Sequence, residues 1–332
     1  MSLVPMKQIL DEARKKGYGV GAYNVNNMEQ VQAIMAAAQA TKSPVIIQAS
    51  MGALKYSNFT YLKHLMLAAA EENPDIPIAM HLDHGNSLES AKKAISLGFT
   101  SVMIDGSLKE DGKTPSDYEY NVEVTKSVVA YAHQFGVTVE GEIGRLGGIE
   151  DGVGSGSAHV TDPDEAKRFV DDTKLDALAI AIGTSHGAYK FKGDKNLAFD
   201  VLEKVRKLID IPIVLHGASS VPQELIDRVN KYGGKMPGAT GVPMAHLQKA
   251  IKMGVSKINV DTDGRLAITA EIRRVFAESP DKFDPRDYLG PARDTLAKLI
   301  ESKMKDFGTA GHAGDYKPMT LDDMKKFYAS KK

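Results

Sequence analysis

Residues 76–85 read IPIAMHLDHG. Five apolar residues open the stretch, and Asp83, His84 and Gly85 close it. A short run this apolar suits a strand covered on both faces, as in a parallel sheet. Its polar residues gather at the C-terminal end. The same design recurs upstream in GVGAYNV (19–25) and PVIIQAS (44–50). It recurs downstream in TSVMIDG (100–106), GVTVEGEIG (136–144), DALAIAIGTSHG (176–187), IPIVLHGAS (211–219) and VSKINVDTD (255–263). Apolar residues spaced at three and four predict intervening helices over 28–40, 59–72, 87–97, 117–135, 163–172, 197–209, 222–231 and 246–252.

Strand and helix in regular alternation imply an α/β fold with a parallel sheet. An open doubly wound sheet uses the same alternation. Eight units within 332 residues favour the closed form, a TIM (β/α)8 barrel in one domain spanning 1–332. A leading helix contains ILDEA (9–13). Three segments fall outside the minimal barrel. LGGIEDGVGSGSAHV (146–160) carries five glycines and reads as a polar loop expected to move. GGKMPGATGVP (233–243) reads as an insertion. Residues 280–332 form a C-terminal extension, helical near 291–306, which is expected at a subunit interface or against its own barrel.

Bulk properties narrow the function. A net charge of -1 argues against nucleic acid as a partner. No cysteine is present, so a metal would be held by His, Asp or Glu. The N-terminal stretch MSLVPMKQILDEARKKGYGV is amphipathic and lacks the apolar core of a signal peptide. No apolar run approaches the roughly 20 residues of a membrane span. A cytoplasmic protein without membrane attachment is expected.

Polar residues cluster at the ends of the apolar runs: Ser50, Asp83, His84, Asp105, Glu142, His186, His216, Asn259 and Asp261. In a closed barrel these ends share one mouth, where barrel enzymes place their chemistry. Taken singly, each could be a capping or loop residue; nine together point to a site. Three of the ends carry His before Gly, in DHG (83–85), SHG (185–187) and LHG (215–217). Three imidazoles make a catalytic zinc set with one position left open. His64, His133 and His246 lie on or beside predicted helices and read as surface or capping residues. His81 is placed to support the site from behind. Asp83 could orient His84 or act as acid/base. Asp105 and Glu142 could hold a second divalent ion, or pair with basic residues. Glu150, on the glycine-rich loop, could enter when substrate is bound. HGASS (216–220) and NVDTD (259–263), with Arg265 nearby, suit a phosphate at the ends of strands seven and eight. Ordinary helix capping is the plainer reading of those hydroxyls.

Taken in order, YGVGAYNVNN, HLDHG, SVMIDGS, VEGEIGRLGGIED, AIGTSHGAYK, LHGASSVP and KINVDTDGR resemble class II, metal-dependent fructose-1,6-bisphosphate aldolases. The resemblance covers residues 19–314, and DPRDYLGPAR and GTAGHAGDYK are similar to the longer, type B members. It implies a catalytic Zn2+ on His84, His186 and His216. It implies that Asp83 takes the C4 hydroxyl proton and that Glu150 handles the proton on the enediolate carbon. Asp105 and Glu142 would serve a second metal position. Ser50, Gly187, Gly217, Ser219, Asn259, Asp261 and Thr262 would contact substrate, with Gly187, Gly217 and Ser219 around the phosphate nearest the metal and Asp261 and Arg265 toward the far phosphate. Arg286 would reach that phosphate from a neighbouring protomer, which implies a homo-oligomer, dimer or tetramer. A monovalent cation, Na+ or K+, is a further expectation, and Lys190 either helps to position a loop or that cation site, or is solvated. The substrate would be a ketose bisphosphate and the products triose phosphates. Tagatose or sedoheptulose bisphosphate is the alternative substrate; a non-catalytic sugar-phosphate or metal-binding barrel is the remote alternative.

Overall fold

The computed structural model describes residues 2–111, 113–145, 147–148, 159–190 and 197–331. The first half of the chain runs α1 (Met6–Lys16), β1 (Val20–Asn24), α2 (Met28–Thr41), β2 (Val45–Ser50), α3 (Met51–Tyr56), α4 (Phe59–Glu72), β3 (Ile78–Gly85), α5 (Leu88–Ser96), β4 (Ser101–Ile104), α6 (Tyr118–Ala132) and β5 (Thr138–Ile143). It continues with α7 (Pro163–Thr173), β6 (Ala177–Ile180), α8 (Phe199–Leu208), β7 (Ile213–Leu215), α9 (Gln223–Lys231), α10 (Met244–Lys252), β8 (Val255–Val260) and α11 (Thr262–Glu278). The tail adds α12 (Pro285–Asp306) and α13 (Leu321–Ala329). The strands pair in sequence order, all parallel, and β1 pairs with β8 in the register Tyr23↔Val260 to close the barrel. The expected (β/α)8 architecture is present.

Strand residues alternate in direction, so every second side chain faces inward. The outward set, including Ile47, Ile78, Leu82, Val102, Val139, Leu178, Ile213 and Ile258, packs under the helices in the main core. Near the N-terminal end, Val20, Ala22, Ile46, Ala79, Ala177, Ala179 and Val214 form a second core with Met6, Ile9, Leu10 and Ala13 of α1. The leading helix is therefore a stopper for the bottom of the barrel. Its segment is anchored by Val4 and Ile78, whose amides donate to the Ile78 and Ser2 carbonyls, respectively. Side-chain caps fix several helix starts: Asn27 on α2, Ser87 with Ser90 on α5, and Asp162 before Pro163 on α7.

Three apolar runs are shorter as strands than their length suggests. β4, β6 and β7 stop at Ile104, Ile180 and Leu215. Beyond β6 and β7 the chain turns through left-handed glycines, Gly183, Gly187 and Gly217, and the turns carry the polar residues. The tail differs too. Its helix begins at Asp284 as N-cap, with Pro285 in the first turn and Pro291 inside. It packs on α2 and α11 of its own barrel. Further on, Tyr328 of α13 stacks on His133, with ring centroids 3.6 Å apart, and its hydroxyl donates to Asp176 at 2.8 Å. His133 is the C-cap of α6, as expected of a capping residue, and it also makes this tail contact. Among the described residues, no helix is long and apolar enough to cross a membrane.

Candidate metal centre and active site

Moving up the barrel interior, the inward side chains change from apolar to charged. Gln48, His81, Ser101, Glu140 and Lys257 form a buried middle layer. Two residues further along the same strands stand Ser50, Asp83, Glu142 and Asn259, joined by Asp105 and His216. The period of two therefore stacks a functional layer directly on a supporting one.

His84, next to last in β3, has φ 48°, a left-handed conformation uncommon outside glycine, and Gly85 follows where a Cβ would stand 2.5 Å from the Met103 carbonyl oxygen. The strand end is thus bent to aim the imidazole inward. His186 is held by its own N–H, which donates to the Gly147 carbonyl at 2.8 Å. One ring nitrogen from each of His84, His186 and His216 lies within 4.8 Å of the other two. The His84 ring stands edge-on to both others, at 88° to His186 and 76° to His216. His84, Asp105 and Glu142 form a second such group.

The three histidines are held differently. His216 Nε2 lies 2.7 Å from Glu140 Oε1. A carboxylate accepts there, so Nε2 carries the proton and Nδ1 turns its lone pair to the site. Behind Glu140, Lys257 Nζ stands 2.8 Å from Oε2, with His81 Nε2 at 3.3 Å from the ammonium. Ser101 Oγ, 2.7 Å from His81 Nδ1, completes the layer. The supporting place expected for His81 is where the structure puts it. His84 Nδ1 lies 3.2 Å from Asp105 Oδ2 and its Nε2 3.0 Å from His216 Nδ1.

The donor set fits a divalent cation. His186 Nδ1 and Glu142 Oε2 are buried without a hydrogen-bond partner among the described residues. Burial opposes charge on His84, yet Asp83 and Asp105 outweigh it and raise its pKa to about 10. Burial, then the charge of His84, pushes His186 and His216 well down. Burial and the neighbouring Asp105 push Glu142 well up. The carboxylates thus draw positive charge into a space bounded by imidazole nitrogens, and a nitrogen-rich set of this kind suits zinc.

Asp83 lies against this group. Its Oδ2 accepts from Asn24 Nδ2 at 2.9 Å and its Oδ1 from Asn259 Nδ2 at 3.0 Å. Gln48 Nε2 in turn donates to Asn24 Oδ1 at 2.7 Å. Burial works to raise the Asp83 carboxyl, but the charges of His84, His216 and Lys257 and the Asn24 bond hold it below the usual carboxylate range. Asn24, Gln48, Glu140 and Lys257 are absent from the sequence-derived set. Asn24 had a readable signal, a lone polar residue closing the run VGAYN.

On the strand-seven and strand-eight side, Gly187 and Gly217 take φ of 80° and 59°, and a Cβ on Gly217 would meet the Ser185 carbonyl oxygen at 2.7 Å. Among the described residues, the amides of Gly217, Ala218 and Ser219 donate to no protein acceptor. Consecutive open amides of this kind form an anion-binding concavity. Arg265 forks onto Asp261, at 2.8 and 2.6 Å, beside buried Thr262. Ser50 is buried and caps α3 through the Ala53 amide. Lys190 is buried, not solvated, and donates to the Ser185 carbonyl at 3.0 Å. Arg286 pairs with Asp284 at the start of α12, with 89% of its side chain exposed. Glu150 lies outside the described residues.

Comparison with known proteins agrees with this geometry. The family described as "Fructose-bisphosphate aldolase class-II" matches residues 4–312. A fructose-bisphosphate aldolase of Giardia intestinalis is 56% identical over 99% of this chain and 100% of its own length. One from Pseudomonas aeruginosa is 51% identical over 99% of this chain and 98% of its own. Among solved structures, the YdjI aldolase of Escherichia coli K12 superposes with a TM-score of 0.74 at 29% identity, covering 94% of this chain and 99% of that one. The chain belongs to the class-II fructose-bisphosphate aldolase family.

Proposed function

We propose that this chain is a lyase that reversibly cleaves D-fructose 1,6-bisphosphate to dihydroxyacetone phosphate and D-glyceraldehyde 3-phosphate. The observation that carries the reading is the placement of the Asp83 carboxylate directly beside three converging histidines. His84, His186 and His216 would hold zinc, and Asp105 with Glu142 would hold a second divalent ion. When bound, the zinc ion supplies a Lewis acid for the substrate carbonyl.

The chain's own residues supply the rest. Asp83, kept ionised and aimed by Asn24 and Asn259, takes the proton of the C4 hydroxyl. The C3–C4 bond then breaks, C4 becomes the aldehyde carbon, and the electron pair stays with the ketone half. Glu150 delivers a proton to C3 of that half. Gly187, Gly217 and Ser219 seat one phosphate, a role supported by the three open amides at 217–219. Ser50, Asn259 and Thr262 contact substrate, and Asp261 and Arg265 lie toward the far phosphate. Gripping both ends fixes the scissile bond between acid/base and metal. Arg286 reaches the far phosphate of a second copy, so the enzyme works as a homo-oligomer, dimer or tetramer, with part of 280–332 at the interface. A monovalent cation, Na+ or K+, and a cytoplasmic location belong to the same proposal.

A coupled cleavage assay on fructose 1,6-bisphosphate, with zinc quantified before and after EDTA, tests the reading. Activity should fall with the metal and return when zinc is restored. Cleavage by fully metal-free protein would overturn the role of the histidines. A higher kcat/KM on tagatose 1,6-bisphosphate would overturn the substrate assignment.

A further inference from the structure

Two residues after the last of the three open amides, the backbone is strained. Val221 has φ 47°, a left-handed conformation that a β-branched residue rarely adopts. Such a conformation persists only where its surroundings over-determine it. Here the surroundings are a carboxylate and an ammonium from two other elements. Asp263, in the first turn of α11 and fully buried, accepts from the Ser220 amide at 2.9 Å and from the Val221 amide at 2.7 Å. Lys303, near the end of the tail helix α12 and only 2% exposed, lies 2.5 Å from Asp263 Oδ2 and donates to Ser220 Oγ at 2.8 Å. The Gly/Pro insertion closes the other side. The Val242 amide donates to the Ser219 carbonyl at 3.1 Å, and a Cβ on Gly241 would stand 2.3 Å from the Ser220 carbonyl carbon.

Five consecutive amides are therefore divided. Those of residues 217–219 have no protein acceptor among the described residues, and those of 220 and 221 are held by Asp263. We propose that Lys303 and Asp263 are a positioning pair, by which the C-terminal tail sets the backbone that seats a substrate phosphate. The inference rests on reading 217–219 as that seat. Neither residue touches substrate. Lys303 neutralises Asp263, Asp263 holds the Ser220 amide and that of the strained Val221, and the turn so held aims the three open ones. In this design the tail is part of the binding machinery of its own barrel.

Lys303→Met alone would leave a buried carboxylate without its counter-charge, so it is best combined with Asp263→Asn, which removes both charges at nearly constant volume. The asparagine amide nitrogen would then face one of the two backbone N–H groups, and the turn would lose its double acceptor. Melting temperature, zinc content, steady-state kinetics and affinity for inorganic phosphate are read on the zinc-loaded proteins. The double variant should fold and retain its metal. Its KM for the bisphosphate should rise at least tenfold while kcat changes less than threefold, and phosphate affinity should fall in parallel. Lys303→Gln, which keeps a donor on a shorter stem, should shift KM and phosphate affinity the same way by at least threefold. A merely structural pair would move melting temperature alone. Folded variants with KM and phosphate affinity within twofold of the parent would overturn the inference. A parent protein that binds zinc but no phosphate would instead overturn the seat itself, and the inference with it.

Discussion

Lys257 Nζ lies 2.8 Å from Glu140 Oε2, and neither side chain has any accessible surface. The other oxygen of Glu140 holds His216 Nε2. One buried ion pair thus supports both the interior and a proposed metal ligand. Removing one partner of such a pair costs about 3–5 kcal/mol, because a charge is left buried without compensation. Lys257→Met should therefore lower unfolding free energy by about that amount in denaturant titrations. Glu140→Gln keeps the shape but offers its amide nitrogen or a weaker acceptor to His216. Supporting residues of this kind are worth about 10–100-fold in metal affinity. Competition with a chelator should show that loss, and an unchanged zinc affinity would remove Glu140 from the site.

Asp83 and Asn24 should separate chemistry from metal binding. Asp83→Ala should keep zinc and lose cleavage by orders of magnitude, since Asp83 is the group proposed to take the C4 hydroxyl proton. Near-normal turnover would remove Asp83 from the mechanism. Asn24→Leu removes one donor to an ionised carboxylate, a bond worth about 1.5–3 kcal/mol. Its kcat should drop roughly ten- to a hundredfold if that energy is expressed in the transition state. Zinc content measured on the same samples should be unchanged.

Why Glu140, Lys257 and Lys303 were invisible in the sequence, while the mouth was legible, has a physical reason. Residues such as Asp83, His186 and His216 interrupt apolar runs at their ends, and a closed parallel barrel brings all such ends together whatever the details. Glu140 and Lys257 sit inside the runs EGEIG and SKINV, where alternation alone cannot separate a paired interior charge from an exposed one. Only closure of β8 against β1, and the inward period of two, makes them neighbours. Lys303 lies in a helix with the charge pattern of a solvated surface, and its burial follows from where α12 docks. β6 is shorter than its run for a related reason: Ala181 and Ile182 continue the apolar pattern into a turn that the site needs bent.

Acid should weaken the protein through Asp263. Burial works to raise this carboxyl, but Lys303 and the amides of Ser220 and Val221 outweigh burial and hold it below its ordinary value of 3.8. A carboxyl whose pKa is lower folded than unfolded stabilises the protein above the unfolded pKa. That contribution is lost as pH falls from the unfolded value through the folded one, so its window lies below about pH 4. Denaturant titrations of the parent and of Asp263→Asn, run from pH 7 to pH 3, should give curves that converge as pH falls. A stability difference that stays constant across that range would show that Asp263 carries no pH-linked stability.

Tyr328 offers a contrast, because its contacts lie at the far end of the barrel from the mouth. Its hydroxyl donates to Asp176 Oδ2, which also receives the Val139 amide at 2.9 Å and lies 2.9 Å from His133 Nε2. Tyr328→Phe leaves that oxygen with two partners, so the loss should be one ordinary hydrogen bond, about 0.5–1.5 kcal/mol. Tyr328→Ala also deletes the ring stacked on His133 and should cost about 3–5 kcal/mol, as buried aromatic truncations do. The tail should then loosen, giving faster proteolysis between Asp306 and Leu321, where α12 has ended and α13 has not begun. Cleavage kinetics of the intact variant should stay within twofold of the parent. A large fall in kcat at full zinc occupancy would mean that the bottom latch reaches the active site, and that the two ends of the barrel are coupled.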